Sequence, residues 1–550
     1  MAKKSKPAKP TKPSSLTMYL FAPGMTAMHR AGLGGLACSL RSIEDRFADG
    51  VIDEEELPGG PWDDGKPPWK VDSDQITLDF KESTRAADFL MRLFSHSFMI
   101  LKGNDVIFLP GQYRNTPPMD VLADAQNAIT LTFLQHGLTR TLSKNTTSLQ
   151  IDAEGDGSKM IQVEFKSCTK FKHQEGWKVL VDKDGCILSK PIEVSGPINP
   201  GAVVRHVAFT SSTKIEDPVD RVLPLYFAIV GCLALPINRG VGVLIVPEVD
   251  DLKRFQLLRP LMSPRNARDC KVAGASDAAL QCQLRILGSK EMEKSDVPAC
   301  TALLFRSTAW ASQQKSRVDA IDIPKGDYKS LRTFELAVKE LAPRVITIVA
   351  PKDSDKAKKA KATKKKAKAP VSDVVEKESK HFWSDSIVRP LVADNLARGQ
   401  PWYRGFHDLM TKLDPVSREP LRNKLSFENK GLQGMIEKIT WDVEGEKTIV
   451  NAIHKAMSMR FGQIATENYE NSKAMLNRME RFREKLRLDL AGSRKESDVR
   501  FTLVNLFSRA GINSVLQANW QSVLPIVRQD WKLARDLGLL ALASYPMKAD

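Results

Sequence analysis

Apolar residues recur along this chain in two rhythms, and the change between them falls near residue 350. Before it, short β-branched runs alternate with helical patterns. After His381 the apolar spacing is three and four residues throughout, which predicts helix. In the first part, residues 16–22 predict a strand. Leu33, Leu36, Leu40, Ile43 and Phe47 then predict an amphipathic helix over 25–47. Further strands are predicted at 76–80, 106–109, 202–209, 241–246, 301–305, 318–323 and 345–349, with a hairpin over 148–163 turning at EGDGS. Helices are predicted at 84–98, 119–138, 277–287 and 328–341. The most apolar run, 222–237, reads as a buried helix. It is short for a bilayer and carries Pro224 and Pro236. Hairpins mixed with helical crossovers favour an α+β fold over a doubly wound sheet. Past the change of rhythm, helices are predicted at 382–398, 402–413, 420–441, 446–468, 471–490, 497–509 and 514–543, an all-α bundle.

Between the two patterns stands KDSDKAKKAKATKKKAKA, residues 352–369, with nine lysines and no large apolar side chain. Such a stretch buries too little apolar surface to offset its ordering entropy, so it reads as a solvated tether. The expected organisation is a disordered basic tail (1–15), an α+β domain (16–350), a lysine-rich linker (351–380) and a helical bundle (381–550). With 550 residues and 42% hydrophobic content, the chain exceeds one core and can fill two or three.

The net charge of +16 suggests a polyanionic partner, but its location qualifies that reading. The N-terminal tail contributes +5 and the lysine run +7, leaving +4 for everything expected to fold. Seven cysteines without a CxxC pair, all before the lysine run, fit a reducing cytoplasm. Eight histidines without an HxxxH pattern give no metal site, and no segment calls for a membrane or a cofactor.

Candidate binding residues come in clusters. The segment PGQYRNTPP groups Gln112, Tyr113, Arg114 and Asn115 in an expected exposed loop, with the chemistry to read base edges and stack on bases. SPRNARDCK supplies Arg265, Asn266 and Arg268. The stretch 166–178 interleaves Lys170 and Lys172 with Phe171 and Trp177. Trp62 and Trp69, in a proline-rich acidic loop, read as anchors that pin the loop to its domain. In the bundle, Arg478, Arg481, Arg483, Lys485 and Arg487 lie opposite a face of Met475, Met479, Phe482, Leu486 and Leu490 and suit a phosphate backbone. Gly32, Gly34 and Gly35 interrupt the first helix. Each costs helix stability, so together they indicate a close backbone approach, either to another element or to a phosphate beside His29 and Arg30.

Gly32 to Ala37 fits GxGxxA, the tempting signal for a nucleotide- or dinucleotide-dependent enzyme. In a dinucleotide fold those glycines sit in the turn directly after the strand, whereas the strand predicted here ends about ten residues earlier. There is no P-loop, no nucleophile elbow, and no cysteine or serine with a histidine partner, so the catalytic reading is negative. A generic RNA-binding scaffold, with the lysine runs supplying the affinity, is the other alternative.

The segment YLFAPGMTAMHRAGLGGLACSL (19–40), with KESDVRFTLVNLFSRAG (495–511) and DWKLARDLGLLALASY (530–545), closely resembles the large subunit of type I CRISPR effector complexes. The resemblance is to a myxobacterial (MYXAN) subfamily related to type I-B and also found in transposon-associated systems. It implies a non-catalytic subunit of the RNA-guided surveillance complex, Cascade. Its N-terminal domain would read the protospacer-adjacent motif in double-stranded DNA and help open the duplex into an R-loop. Its C-terminal bundle would line the displaced strand. The implied partners are guide RNA, target DNA, the backbone, guide-end and small subunits, and a helicase-nuclease or transposition proteins. A small subunit translated from an internal start is also implied by related subtypes, and Met410 offers one.

Overall fold

A computed structural model describes residues 12–135, 137–153, 156–200, 215–237, 240–289, 297–310, 313–349, 379–414 and 417–546. The strand expected at 202–209, most of the N-terminal tail and the lysine run lie outside the described residues. The chain forms two compact units. One comprises Met1–Val272, Leu303–Ala320 and Pro343–Asp385; the other comprises Ala273–Ala302, Ile321–Ala342 and Ser386–Asp550. The N-terminal region is mixed α+β and the C-terminal stretch is helical.

The first unit is built on a pair of helices. Ala27–Ala48 begins at Thr26, whose side-chain oxygen accepts from the His29 backbone N–H while the His29 ring reaches back to the Thr26 N–H. It packs along Val219–Gly231, and the glycines set the distance. A Cβ on Gly32 would stand 2.1 Å from the Pro224 carbonyl oxygen, and one on Gly35 would stand 2.2 Å from that of Phe227. A Cβ on Gly231 would lie 1.8 Å from the Ala31 oxygen. Between the two open alternatives for these glycines, the structure chooses another helix. The helix N-terminus lies at Ala27, well before Gly32, so the dinucleotide pattern has no structural support.

The expected buried helix over 222–237 is corrected. The helix ends at Gly231, and Leu233–Ile237 is a strand paired antiparallel with Val241–Pro247. Two apolar runs paired as antiparallel strands satisfy each other's backbone groups more fully than a longer helix containing Pro236. Ser15–Tyr19 pairs with Gln75–Asp79, which also pairs with Trp69–Val71. Order therefore begins before residue 16: the Ser14 carbonyl accepts from Phe80 N–H at 2.8 Å, and Lys12 pairs with Asp182. The tryptophans do pin their loop. Trp62 stacks edge-on against Phe47 and Trp69, and Trp69 Nε1 donates to Glu44 at 2.6 Å.

Two features redraw the expected division at the lysine run. Arg344–Val349 and Ser379–Ser384 pair antiparallel with each other, with Val349 opposite Ser379, inside a four-stranded sheet completed by Met160–Phe165 and Thr147–Asp152. The lysine run therefore leaves and re-enters one sheet of one unit, and helix does not begin at 381. Conversely, Ala275–Leu287 belongs to the helical unit, where Asp277 and Arg389 form a fully buried bidentate pair at 2.8 and 3.0 Å. Losing one partner of such a pair costs about 3–5 kcal/mol, which binds the early segment to the later helices.

The core of the helical unit gathers Val392, Trp402, Phe406, Leu432, Ile449, Ile453, Leu490, Leu503 and Leu537. Trp531–Ser544, the C-terminal segment that carries the resemblance, is buried over most of its length. Asp536 on it accepts from the backbone N–H of Gly405 at 2.7 Å and of His407 at 3.0 Å. Met410 is buried in the same core, so a product starting there would lack Val392, Trp402 and Phe406.

Candidate nucleic-acid interfaces

The loop after Val106–Phe108 divides at Tyr113. Pro110–Gln112 forms a short 3-10 turn wedged against the helix pair, and Gln112 is buried, donating to the Ile229 carbonyl at 2.8 Å. The expectation of an exposed reader fails for this residue, because its amide satisfies a carbonyl near the end of Val219–Gly231 that would otherwise go unpaired. Tyr113 is half-buried, with its ring stacked 6.1 Å from Phe108, and burial pushes its hydroxyl pKa up. Arg114 and Asn115 are exposed.

These last three residues line a groove of about 750 Å³ with Arg41, Arg46, Asp45, Asp49, Gln256 and Leu257. Three guanidinium groups thus face two carboxylates around a partly apolar floor. Arg41 lies 3.7 Å from Asp45 in an exposed pair, and Arg46 is held by donating to the His96 carbonyl at 3.2 Å. Sequence reasoning missed Arg41, Arg46 and Gln256, which periodicity assigns only to the polar side of the first helix or to a neighbouring helix.

The second basic loop lies beside the first. Ser263 donates to the Gln112 carbonyl at 2.8 Å, joining two segments far apart in sequence. Asn266 is not free to read bases: its side chain caps Ala267–Cys270 by accepting from Asp269 N–H at 3.0 Å. Arg265 and Arg268 are exposed. Beneath both loops Arg259 is fully buried, donating to the Val230 and Cys232 carbonyls at 2.7 Å each and to Ser263 at 2.8 Å. A cation at the carbonyl end of Val219–Gly231 complements the helix dipole and clamps the loops to it.

Lys170 and Lys172 are exposed, but the rings between the basic residues turn inward. Phe171 and His173 are buried and stacked at 5.3 Å, and His173 meets Tyr226 and Phe98 edge-on. The His173 ring donates from Nε2 to the Tyr226 carbonyl at 3.1 Å, and burial pushes its pKa down to about 4. His29 is buried too, 3.4 Å from Asp217, with its pKa lowered chiefly by burial. The His173 ring serves the core as a neutral side chain. Arg30 is half-buried, and its Nε meets no hydrogen-bond partner among the described residues.

On Ser472–Gly492 the basic stripe splits. Arg478, Arg481 and Lys485 are exposed. Arg487 is buried, bonded to Glu484 at 2.6 and 2.7 Å, which holds its pKa above the ordinary value. Arg483 is half-buried and donates to the Leu542 carbonyl at 3.0 Å; burial lowers its pKa. The residues read as one wet face therefore straddle a packing edge, because 3.6-residue spacing carries positions 483 and 487 toward the bundle. Arg481, Arg483, Lys485 and Arg487 line, with Arg422, a groove of about 1010 Å³ in which these five cations face Glu480, Glu484 and Asp489. Arg422 carried no sequence signal. Among the described residues no cluster could hold a metal ion, and no helix is long and apolar enough to cross a membrane.

The family model of the DevT N-terminal domain matches residues 17–226, and that of the DevT C-terminal domain matches residues 437–550. Over its whole length the chain is 32% identical to a protein of Myxococcus xanthus (strain DK1622) named CRISPR-associated protein Cas8a1/Csx13, covering 91% of it.

Proposed function

The chain belongs to the Cas8a1/Csx13 family of CRISPR-associated proteins, and on that premise we propose that it is the non-catalytic large subunit of a type I RNA-guided surveillance complex, of the MYXAN, I-B-like kind. In this reading it recognises the protospacer-adjacent motif in double-stranded DNA, helps open the duplex and steadies the R-loop. It then supports recruitment of a helicase-nuclease or, in a transposon-associated system, of transposition proteins. Guide-target pairing carries the long sequence, so the protein needs only backbone charge, shape and a few base contacts.

The observation that carries the proposal is the groove uniting Arg41, Arg46, Arg114 and Asn115 beside a stacked Tyr113. Its cations suit phosphates, and its exposed Arg–Asn pair has the hydrogen-bonding pattern for guanine and adenine edges. Arg265 and Arg268 extend this chemistry on the adjoining loop. Arg478, Arg481 and Lys485 supply a separate backbone-binding face for a displaced strand. Lys170 and Lys172 serve as auxiliary phosphate contacts.

The test uses the complete guide-loaded complex and a library of duplexes that vary only in the adjacent motif. Arg114→Ala is expected to cost about 1–3 kcal/mol on the preferred motif and to relax discrimination. Equal weakening on every duplex would make Arg114 a phosphate contact and remove it from readout.

A further inference from the structure

Ser379–Ser384 is an internal strand, antiparallel to Arg344–Val349 and parallel to Met160–Phe165. Register places Ile346 opposite Phe382, and Gln162 opposite Gln150 on the outer strand. His381 pairs with Ile161, so Phe382 falls beside Gln162. Gln150, Gln162, Phe382 and Ile346 thus form one row across the sheet, with Lys380 and Ser384 flanking Phe382 on the same side by strand alternation. Ile161, Val163 and Phe165 point the other way and are buried. The outer side keeps large apolar groups in solvent, with Phe382 47%, Ile346 44% and Met160 40% exposed.

We infer that this outer side is a stacking platform for single-stranded nucleic acid, with Phe382 as the ring on which a base stacks. A solvated sheet face is ordinarily polar, so an exposed ring on an internal strand calls for a flat apolar partner. Charge favours an anionic partner: Lys380 stands two positions from Phe382 on the same side of the strand, and the nine-lysine run is covalently joined to the sheet through Val349 and Ser379. That run lies outside the described residues and forms no part of the platform. Glu164 also occupies this side, where Gln162 donates to it at 3.2 Å and to Ser148 at 2.8 Å, fixing the amide beside the ring. A single strand offers both a flat π face and a phosphate chain, and a paired duplex hides its base faces. The inference rests on the sheet alone and stands apart from the motif-reading groove.

The test is fluorescence anisotropy of the full-length protein with short, unstructured, labelled RNA and DNA strands and with a duplex of the same composition. Phe382→Ala is expected to weaken single-strand binding about 5- to 150-fold, the worth of one stacked base, and to change duplex binding less than twofold. Phe382→Tyr is expected to restore binding, which separates stacking from misfolding. Replacing the nine lysines of 352–369 with serine should weaken strands and duplex together and preserve the Phe382→Ala ratio. The RNA-to-DNA affinity ratio then says which strand is preferred. The idea is overturned if wild type fails to bind single strands at low salt. Equal loss on strand and duplex, no loss in Phe382→Ala, or a ratio that collapses without the lysines would overturn it as well.

Discussion

Two helices carry the loudest local signals in this chain, and they use them oppositely. Ala27–Ala48 has three glycines in four positions and looks like a phosphate-binding turn; two of those glycines meet protein backbone, the third meets the Phe255 ring, and the segment is buried. Ser472–Gly492 has a run of cations and looks uniformly wet; two of its five candidate cations are drawn into the bundle, one against Glu484 and one against a carbonyl. The lesson is about distance. A missing Cβ shows that something approaches closely, and a guanidinium shows that something accepts hydrogen bonds. Neither shows whether that something is protein or ligand.

The sharpest way to break the comparison lies in the first helix. Gly35→Ala places a methyl 2.2 Å from one backbone atom and 2.5 Å from another, whereas Gly34→Ala meets only the Phe255 ring at 2.5 Å. Gly35→Ala should cost about 3 kcal/mol and Gly34→Ala markedly less by thermal unfolding, since a ring yields more readily than a packed helix. Equal, small effects would return these glycines to a ligand-binding role.

Next in size is acid sensitivity of the core behind that helix. The His173 ring is held neutral, with its pKa lowered to about 4. As pH falls from 6.5 toward 4 the unfolded chain takes up a proton that the folded ring refuses. Stability is thus fully present above the unfolded pKa and declines below it, by up to about 3 kcal/mol from this residue. His173→Gln, which keeps a donor for the Tyr226 carbonyl, should flatten that part of a stability-against-pH curve. An unchanged slope would place the acid sensitivity elsewhere.

The basic helix gives the smaller, complementary pair. Arg487→Ala removes two bonds to Glu484 and should cost about 1.5–3 kcal/mol in stability. Arg481→Ala with Lys485→Ala should change stability by no more than about 0.5 kcal/mol. The double variant should instead lower the salt dependence of single-strand binding, by about 0.7 in logarithmic slope for each phosphate no longer neutralised. If Arg487→Ala leaves stability alone and shifts only the salt slope, the stripe is one wet face after all.

Much of the architecture was legible in the pattern of apolar positions. The helices Ala86–Ser97, Ala275–Leu287 and Tyr328–Glu340 and the strands Gln75–Asp79 and Val106–Phe108 lie where periodicity predicts them. The run over 222–237 misled because an apolar stretch without alternation is equally compatible with a buried helix and a buried strand. Of the loop carrying Gln112 to Asn115, its position was legible and its orientation was not. Gln112 and Asn266 have the chemistry of readers, but nearby unpaired backbone groups claim both.

By itself the sequence determined the two rhythms, the α+β and helical regions, the concentration of charge in two lysine runs, and the family. Those are local or additive properties, set by spacing and composition. Only the tertiary structure decided that the lysine run joins two paired strands of one sheet, that Asp277 reaches Arg389 across more than a hundred residues, and that Arg41 and Arg46 share a groove with Arg114. Each depends on which surfaces meet. That follows from burying apolar area and satisfying backbone groups over the whole chain at once, which no window of sequence contains.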